Sequence, residues 1–302
     1  MFALVTGSRG FVGPYLIAEL RTRGAQVFEL AEHVDITDSA ALVPEVAAFV
    51  RAVGDEHDAA IFHLAAVSHV GRSWTHPGGV VAVNVGGTAN LLSAAHEAGY
   101  GGRFVFASSA EIYGNHAPGS RIDECAEARP LSPYAASKLA AEAFVGQYRR
   151  AYSSPAIIAR PFNHIGPGQA PQFLVSAIAK RIVEAQKAGA GHIEVGNLDA
   201  VRDFLDVRDV VRAYVDLAER GTSGEVYNIA SGVGNRVSDV VQRMIELAEA
   251  AVEVVVSPEL VRTIEVPELV GDRSKITREV GFDPAFSLDA TLRDVLEFWR
   301  SR

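Results

Sequence analysis

With 302 residues, 48% hydrophobic and 22% charged, the chain can bury a large core as one α/β unit or as two lobes, and a disordered chain is not expected. A formal net charge of −9 argues against nucleic acid or an anionic membrane as partner, so an anionic ligand must be held by locally placed arginines and backbone N–H groups. Cys125 is the only cysteine, which rules out internal disulfides and cysteine-based zinc sites. The nine histidines show no paired ligand spacing, so no metal is expected. The N-terminal stretch is too short and apolar for a signal peptide, and no apolar run reaches the roughly 18 residues of a membrane span, which together point to a cytoplasmic protein.

Short apolar runs at residues 2–5, 59–64, 104–107 and 156–159 alternate with stretches of helical period. That alternation predicts stacked βαβ units, hence an α/β fold with a doubly wound parallel sheet of Rossmann type over residues 1–162. Beyond Pro161 the pattern loosens into Gly/Pro-rich connections at 166–171, a helix near 173–187 and scattered short strands. Residues 163–302 are therefore expected to form mainly a smaller, partly interwoven substrate-binding domain, with some segments returning to the sheet.

The first strand runs into Thr6-Gly7-Ser8-Arg9-Gly10-Phe11-Val12-Gly13, a G-x-x-G-x-x-G turn opening the first helix. Glycines there let the backbone turn sharply and a pyrophosphate approach, while free N–H groups at the helix start stabilise its charge. Gly7, Arg9, Gly10, Phe11, Val12 and Gly13 are thus candidate dinucleotide contacts. In NAD sites an acid ending the second strand commonly binds the adenosine ribose; here residues 26–30 lead into Ala31-Glu32-His33, where Ala31 stands in that place. The expected cofactor is NADP(H) or NAD(H), with a slight preference for NADP(H) if Arg9 reaches a 2′-phosphate rather than standing as a solvated surface charge. Downstream, Asp35 and Ile36 are placed to hold the adenine edge, and Leu64, Ala65 and Ala66 follow a strand end where the cofactor passes. His63 there is either part of that wall or a packed core residue.

Tyr134 and Lys138 stand four apart on a predicted helix reaching about Tyr152, and so share one face. On composition such a Y-x-x-x-K pair arises by chance only about 0.1 times per chain. A nearby ammonium is expected to lower the phenol's pKa and make it a usable acid and base. The strand at 104–107 ends in Ser108-Ser109, at the sheet edge where such folds bind ligands, and Ser109 can polarise a carbonyl or merely cap a turn.

In order along nearly the whole chain, residues 6–13, Asp35-Ile36, residues 63–66, Asn84 with Gly87-Thr88, Ser108-Ser109 with Tyr113-Gly114, and residues 134–138 resemble the short-chain dehydrogenase/reductase superfamily, in its extended, sugar-nucleotide-modifying branch. The resemblance implies that Ser109, Tyr134 and Lys138 form an active triad, that Lys138 also grips the nicotinamide ribose, and that Asn84 and Pro161 belong with the cofactor contacts. It further implies a homodimer, formed through helices near residues 90–98 and 135–145.

Asn163, in the turn-rich stretch after Pro161, can donate to a phosphate. Arg202 is the natural fork for a substrate pyrophosphate, unless it pairs locally with Asp203 or Asp206. These stretches, with residues 261–266, are similar to the family's GDP-hexose enzymes. That similarity implies Asn163, Arg202 and Arg262 on the diphosphate, Glu265 on the guanosine, Asn197 beside them, and Ser68, His69 and Ser73 facing the hexose. Glu111 occupies the place of the base in the family's 4,6-dehydratases. Ser109, where those dehydratases usually carry Thr, and the short chain favour instead an NAD(P)H-dependent reductase of a 4-keto sugar nucleotide; dehydration, 4-epimerisation and non-enzymatic cofactor sensing stand as alternatives.

Overall fold

The computed structural model describes residues 1–31, 33–54, 58–260 and 266–302. In chain order the first half runs β1 (Phe2–Thr6), α1 (Gly13–Thr22), β2 (Gln26–Glu29), α2 (Ser39–Val53), β3 (Ala59–His63), α3 (Val70–Thr75), α4 (Pro77–Val81), α5 (Thr88–Glu97), β4 (Arg103–Ala107), α6 (Pro133–Tyr152) and β5 (Ala156–Pro161). Then follow β6 (Asn163–Ile165), α7 (Leu174–Ala188), β7 (His192–Val195), β8 (Val201–Asp206), α8 (Val207–Arg220), β9 (Val226–Ile229) and β10 (Gly234–Arg236). The chain closes with α9 (Val237–Ala248), β11 (Glu253–Val256), β12 (Glu268–Leu269), α10 (Ser274–Val280) and α11 (Leu288–Arg300).

A six-stranded sheet has the order β2-β1-β3-β4-β5-β9, every neighbour parallel. All five residues of β3 are buried, as expected when helices cover both faces of a parallel sheet. One face buries Leu16 and Leu20 of α1 with Val210 and Tyr214 of α8. The other buries Leu42 and Phe49 of α2, Leu91 of α5 and Val145 of α6. Each such side chain contributes roughly 1.5–3 kcal/mol through removal from water. The order reverses at β1, with β2 on one side and β3 on the other, and ligands bind beyond the carboxyl ends of strands at such a switch point.

A second core packs Ile178 and Ile182 of α7, Val240 and Met244 of α9 and Leu292 of α11 around Phe204 of β8. β8 is central there, antiparallel to β10 and parallel to β12 and β6. The two cores interleave along the chain, because α8, β9 and α10 lie after β8 yet build the large sheet and its cover. Between α4 and α5 residues Ala82–Gly87 form a π-helical turn, which the sequence periodicity did not foretell.

Candidate active site

The glycine turn is shaped by steric necessity. Gly7 sits at φ 71°, and a Cβ there would lie 2.7 Å from the Ala65 nitrogen; a Cβ on Gly13 would strike the Ser8 backbone. Gly10 N donates to Gly7 O at 3.0 Å, closing the loop. The N-cap residue of α1, Val12, offers no side-chain cap, and the first turn carries no acid. The helix start therefore keeps open N–H groups for an anion. This glycine-tight, uncapped junction fits a dinucleotide pyrophosphate.

The cleft beside it measures about 860 Å³. Gly7, Arg9, Gly10, Phe11, Val12 and Gly13 line one wall, followed by Leu64 and Ala66. Ala65 packs against Gly7 from behind. Asp35 and Ile36 lie outside the lining: Asp35 caps its own turn through Thr37 N at 2.8 Å and Thr37 Oγ1 at 2.9 Å, and Ile36 is buried against Gly87.

His63 proves to be a buried connector. Thr88 Oγ1 donates to Asn84 O at 2.6 Å, so its one proton is committed and the His63 Nε2–H must donate to Thr88 Oγ1, at 3.0 Å. Nδ1 then accepts from Thr6 Oγ1 at 2.7 Å, and Thr6 Oγ1 in turn accepts from Ala65 N at 3.3 Å. Burial, helped by the Lys138 charge, pulls the imidazole pKa down to about 3, so the ring stays neutral. Asn84 is likewise withdrawn from the cleft: its amide accepts from Val67 N at 2.8 Å and donates to Ser137 Oγ at 2.9 Å, and Ser137 Oγ donates to Tyr134 O at 2.7 Å. The π-helical turn is what delivers Asn84 to these partners, one of the uses to which such turns are put.

Ser109, Tyr134, Lys138, Glu111 and Pro161 meet at the cleft floor. Ser109, two residues past β4 and still extended, accepts from Glu111 N at 3.2 Å, capping the short 3-10 turn Ala110–Tyr113. It does more than cap: it lines the cleft together with Tyr134 and works against the burial-driven rise of the phenol's pKa. The expectation of a phenol acidified by Lys138 is corrected here. The Lys138 ammonium donates instead to Ala107 O at 2.7 Å and lies over the Phe106 ring. Burial therefore dominates and pushes Tyr134 up to about 12, with Ser109 opposing the rise and Glu111 adding to it. Burial also brings Lys138 down to about 8, against the pull of Glu142.

Two buried residues behind this lining were not singled out from sequence. Glu142 and Arg160 form a buried bidentate pair, Arg160 Nη2 to Glu142 Oε2 at 2.7 Å and Nε to Oε1 at 2.9 Å. The available signal was the spacing Tyr134, Lys138, Glu142, which continues one helix face for a further turn.

The far wall carries Ser68, His69, Asn163, Asn197 and Arg202, while Ser73 is buried and donates to Val70 O at 2.6 Å. His69 caps α3 by accepting from Arg72 N at 3.0 Å. Among the described residues, Asn163 Oδ1 is the one buried side-chain polar atom without a hydrogen-bond partner. Arg202 donates through Nη1 to Val201 O at 2.9 Å and Pro267 O at 3.4 Å, while Asp203 accepts from Ser231, Gly232 and Gly271 and Asp206 holds Arg208 and Thr291. β-strand alternation explains the separation, since Arg202 and Phe204 face the cleft while Asp203 points away. Arg181, from α7, lines the same end and donates to Glu194 O at 3.0 Å. Arg262 and Glu265 lie outside the described residues.

The switch-point cleft and its glycine turn define a short-chain dehydrogenase/reductase of the extended, sugar-nucleotide-modifying type, a nicotinamide-dependent oxidoreductase. Within that class the chain belongs to the GDP-mannose 4,6 dehydratase family, whose profile matches residues 4–295. It is 33% identical to the GDP-6-deoxy-D-mannose reductase of Pseudomonas aeruginosa, over 99% of this chain and 97% of that protein. Among solved structures it resembles RMD from Pseudomonas aeruginosa complexed with NADPH, with a TM-score of 0.89 and 33% identity over 99% of each chain. It also resembles the UDP-glucose 4-epimerase of Thermus thermophilus in complex with NAD, with a TM-score of 0.86 and 28% identity over 99% of each chain.

Proposed function

We propose that the protein reduces the 4-keto group of a GDP-activated 6-deoxyhexose, GDP-4-keto-6-deoxy-D-mannose, to a GDP-6-deoxyhexose such as GDP-D-rhamnose. The observation that carries this reading is the buried Tyr134 phenol, which lines one cleft with Ser109, Lys138 and Arg202. A bound reduced nicotinamide supplies the hydride. Ser109 orients the ketone oxygen, and Tyr134 gives that oxygen its proton as negative charge develops. A phenol held near 12 keeps its proton at neutral pH, which suits an acid waiting for a ketone better than a base waiting for an alcohol. Lys138, fixed by Ala107 O, keeps a positive charge in the cleft lining and would hold the nicotinamide ribose of a bound cofactor. Arg202, in the cleft lining with its Nη1 held by Val201 O, has the planar guanidinium that suits a diphosphate, and the Asn163 Oδ1 acceptor has no hydrogen-bond partner and can take one from a ligand hydroxyl or amide.

The finer cofactor choice, NADP(H) over NAD(H), rests on Arg9 in the cleft wall and on Ala31 at the end of the second strand. A homodimer is supported by Val81 and Phe144, 49% and 41% exposed on the α4 and α6 sides, and by the resemblance of the fold to the extended enzymes. Among the described residues no helix is long and apolar enough to cross a membrane, and a cytoplasmic location accords with the substrate class.

Dehydration of GDP-mannose is the second reading. It draws on Glu111, which lines the cleft close enough to raise the Tyr134 pKa. Incubation with GDP-4-keto-6-deoxy-D-mannose and reduced cofactor separates the two. Net cofactor oxidation is expected of a reductase, none of a dehydratase or epimerase that regenerates its cofactor.

A further inference from the structure

Beneath Ser109 and Lys138 lies a buried charge network that the chemistry above leaves unused. Glu142 stands one turn beyond Lys138 on α6, and Ser108, next to Ser109, donates to its Oε1 at 2.5 Å. Arg160, the fifth residue of β5, grips both oxygens of the same carboxylate. Its Nη1 continues to Tyr113 Oη at 2.9 Å, and that hydroxyl donates to Asn228 Oδ1 on β9 at 2.7 Å. Ser108, Glu142 and Arg160 are each at most 8% exposed. Desolvation offsets most of what such a pair contributes to stability. Its geometric effect is larger, because it ties the ends of β4, β5 and β9 to the helix that carries Tyr134 and Lys138.

We propose that Glu142 is a positioning residue: gripped by Arg160, it fixes Ser108 and so the strand end that presents Ser109, and it places a buried carboxylate one helical turn beyond Lys138. The inference rests on the reductase reading of Ser109, Tyr134 and Lys138. The other groups around Lys138 offer no substitute anion. From β3, His63 is neutral; from β4 come the Phe106 ring and Ala107 O; on α6 itself Tyr134 holds its proton. Glu111, from the 110–113 turn, and Tyr214, from α8, act on or with Tyr134 rather than Lys138. Among the described residues, Glu142 is the charge that raises the Lys138 pKa against burial. Without it Lys138 gives up its proton at lower pH.

The test measures reduction of GDP-4-keto-6-deoxy-D-mannose by the full chain, across the pH range of the Lys138 titration, for wild type, Glu142→Gln, Glu142→Gln with Arg160→Gln, and Ser108→Ala. Glu142→Gln is expected to lower kcat about tenfold, to leave KM for the sugar nucleotide within about twofold, and to move the alkaline limb of kcat about one pH unit toward acid. The double variant removes the uncompensated arginine and recovers fold stability, yet keeps the displaced limb, which a merely structural role would not produce. Ser108→Ala keeps the ion pair, so kcat falls while the limb stays in place. A folded Glu142 variant, single or double, with the wild-type limb overturns the proposal. If neither folds, Ser108→Ala decides, and wild-type kcat there overturns it. A wild-type protein that leaves reduced cofactor unconsumed overturns the reductase reading, and this inference falls with it; a working wild type with an unmoved limb overturns this inference alone.

Discussion

At the scale of single residues the account turns on one proton. Tyr134→Phe keeps the ring in its packed place and removes the hydroxyl that carries the proton. Turnover should fall about 100- to 10,000-fold, the usual cost of a lost general acid, with cofactor affinity nearly unchanged by titration. A loss under about tenfold would mean that another group protonates the product. Lys138 predicts the shape of the pH profile. Its folded pKa of about 8 lies below the unfolded value, so the ammonium is complete only below about 8 and activity should decline as pH rises through that value. The same sign makes its burial a cost to stability below pH 8, one relieved as pH climbs toward the unfolded pKa. Arg9 offers a test of cofactor choice: Arg9→Ala should raise KM for NADPH and leave that for NADH alone, and equal effects on both would dismiss a 2′-phosphate role.

Elements come next, since they place these residues. The relay from Ala65 through Thr6, His63, Thr88 and Asn84 to Ser137 joins β1, β3 and α5 to the helix of Tyr134. Thr88→Val leaves the His63 Nε2–H buried without an acceptor, and urea unfolding should show a loss of about 1–3 kcal/mol. The His63 ring should not titrate by NMR at any pH near its ordinary value, because burial holds it neutral down to about 3. A titration near 6.5 would show that the ring is not sealed in as described. Periodicity and turn chemistry made α6 and the strands before it legible in sequence, since each is a long helical face or a short, fully apolar run. The π-helical turn at Ala82–Gly87 escaped because one extra residue per turn leaves no pattern in a six-residue stretch. β8 escaped because its alternation mixes charged residues into both faces, Arg202 toward the cleft and Asp203 into a cradle of backbone N–H groups. The pair Glu142 and Arg160 was out of reach for another reason: it is made by residues eighteen apart on different elements, and only folding brings them together. The Lys138 effect on Tyr134 was misjudged because sequence spacing shows a shared face but not the carbonyl of Ala107 that captures the ammonium.

On the scale of the whole molecule, two cores share one cleft. The large sheet contributes the glycine turn and the proton-handling floor, and β8 with α7 contributes arginines at the far end. An acidic chain of net charge −9 thus concentrates cationic groups where an anionic dinucleotide and an anionic sugar nucleotide would meet. Glu111 separates the two chemistries this arrangement could run. Glu111→Gln should spare most ketone reduction, which needs only a hydride and the Tyr134 proton, and should abolish any dehydration, which needs a base at the sugar. The most direct measurement pairs two incubations of the purified protein: GDP-4-keto-6-deoxy-D-mannose with reduced cofactor, and GDP-mannose with oxidised cofactor, each followed by cofactor absorbance and product mass. Stoichiometric oxidation of the reduced cofactor in the first, with a product two hydrogens heavier and no turnover in the second, is the predicted result. Rapid formation of a 4-keto-6-deoxy product from GDP-mannose, with reduced cofactor left unconsumed in the first incubation, would contradict it.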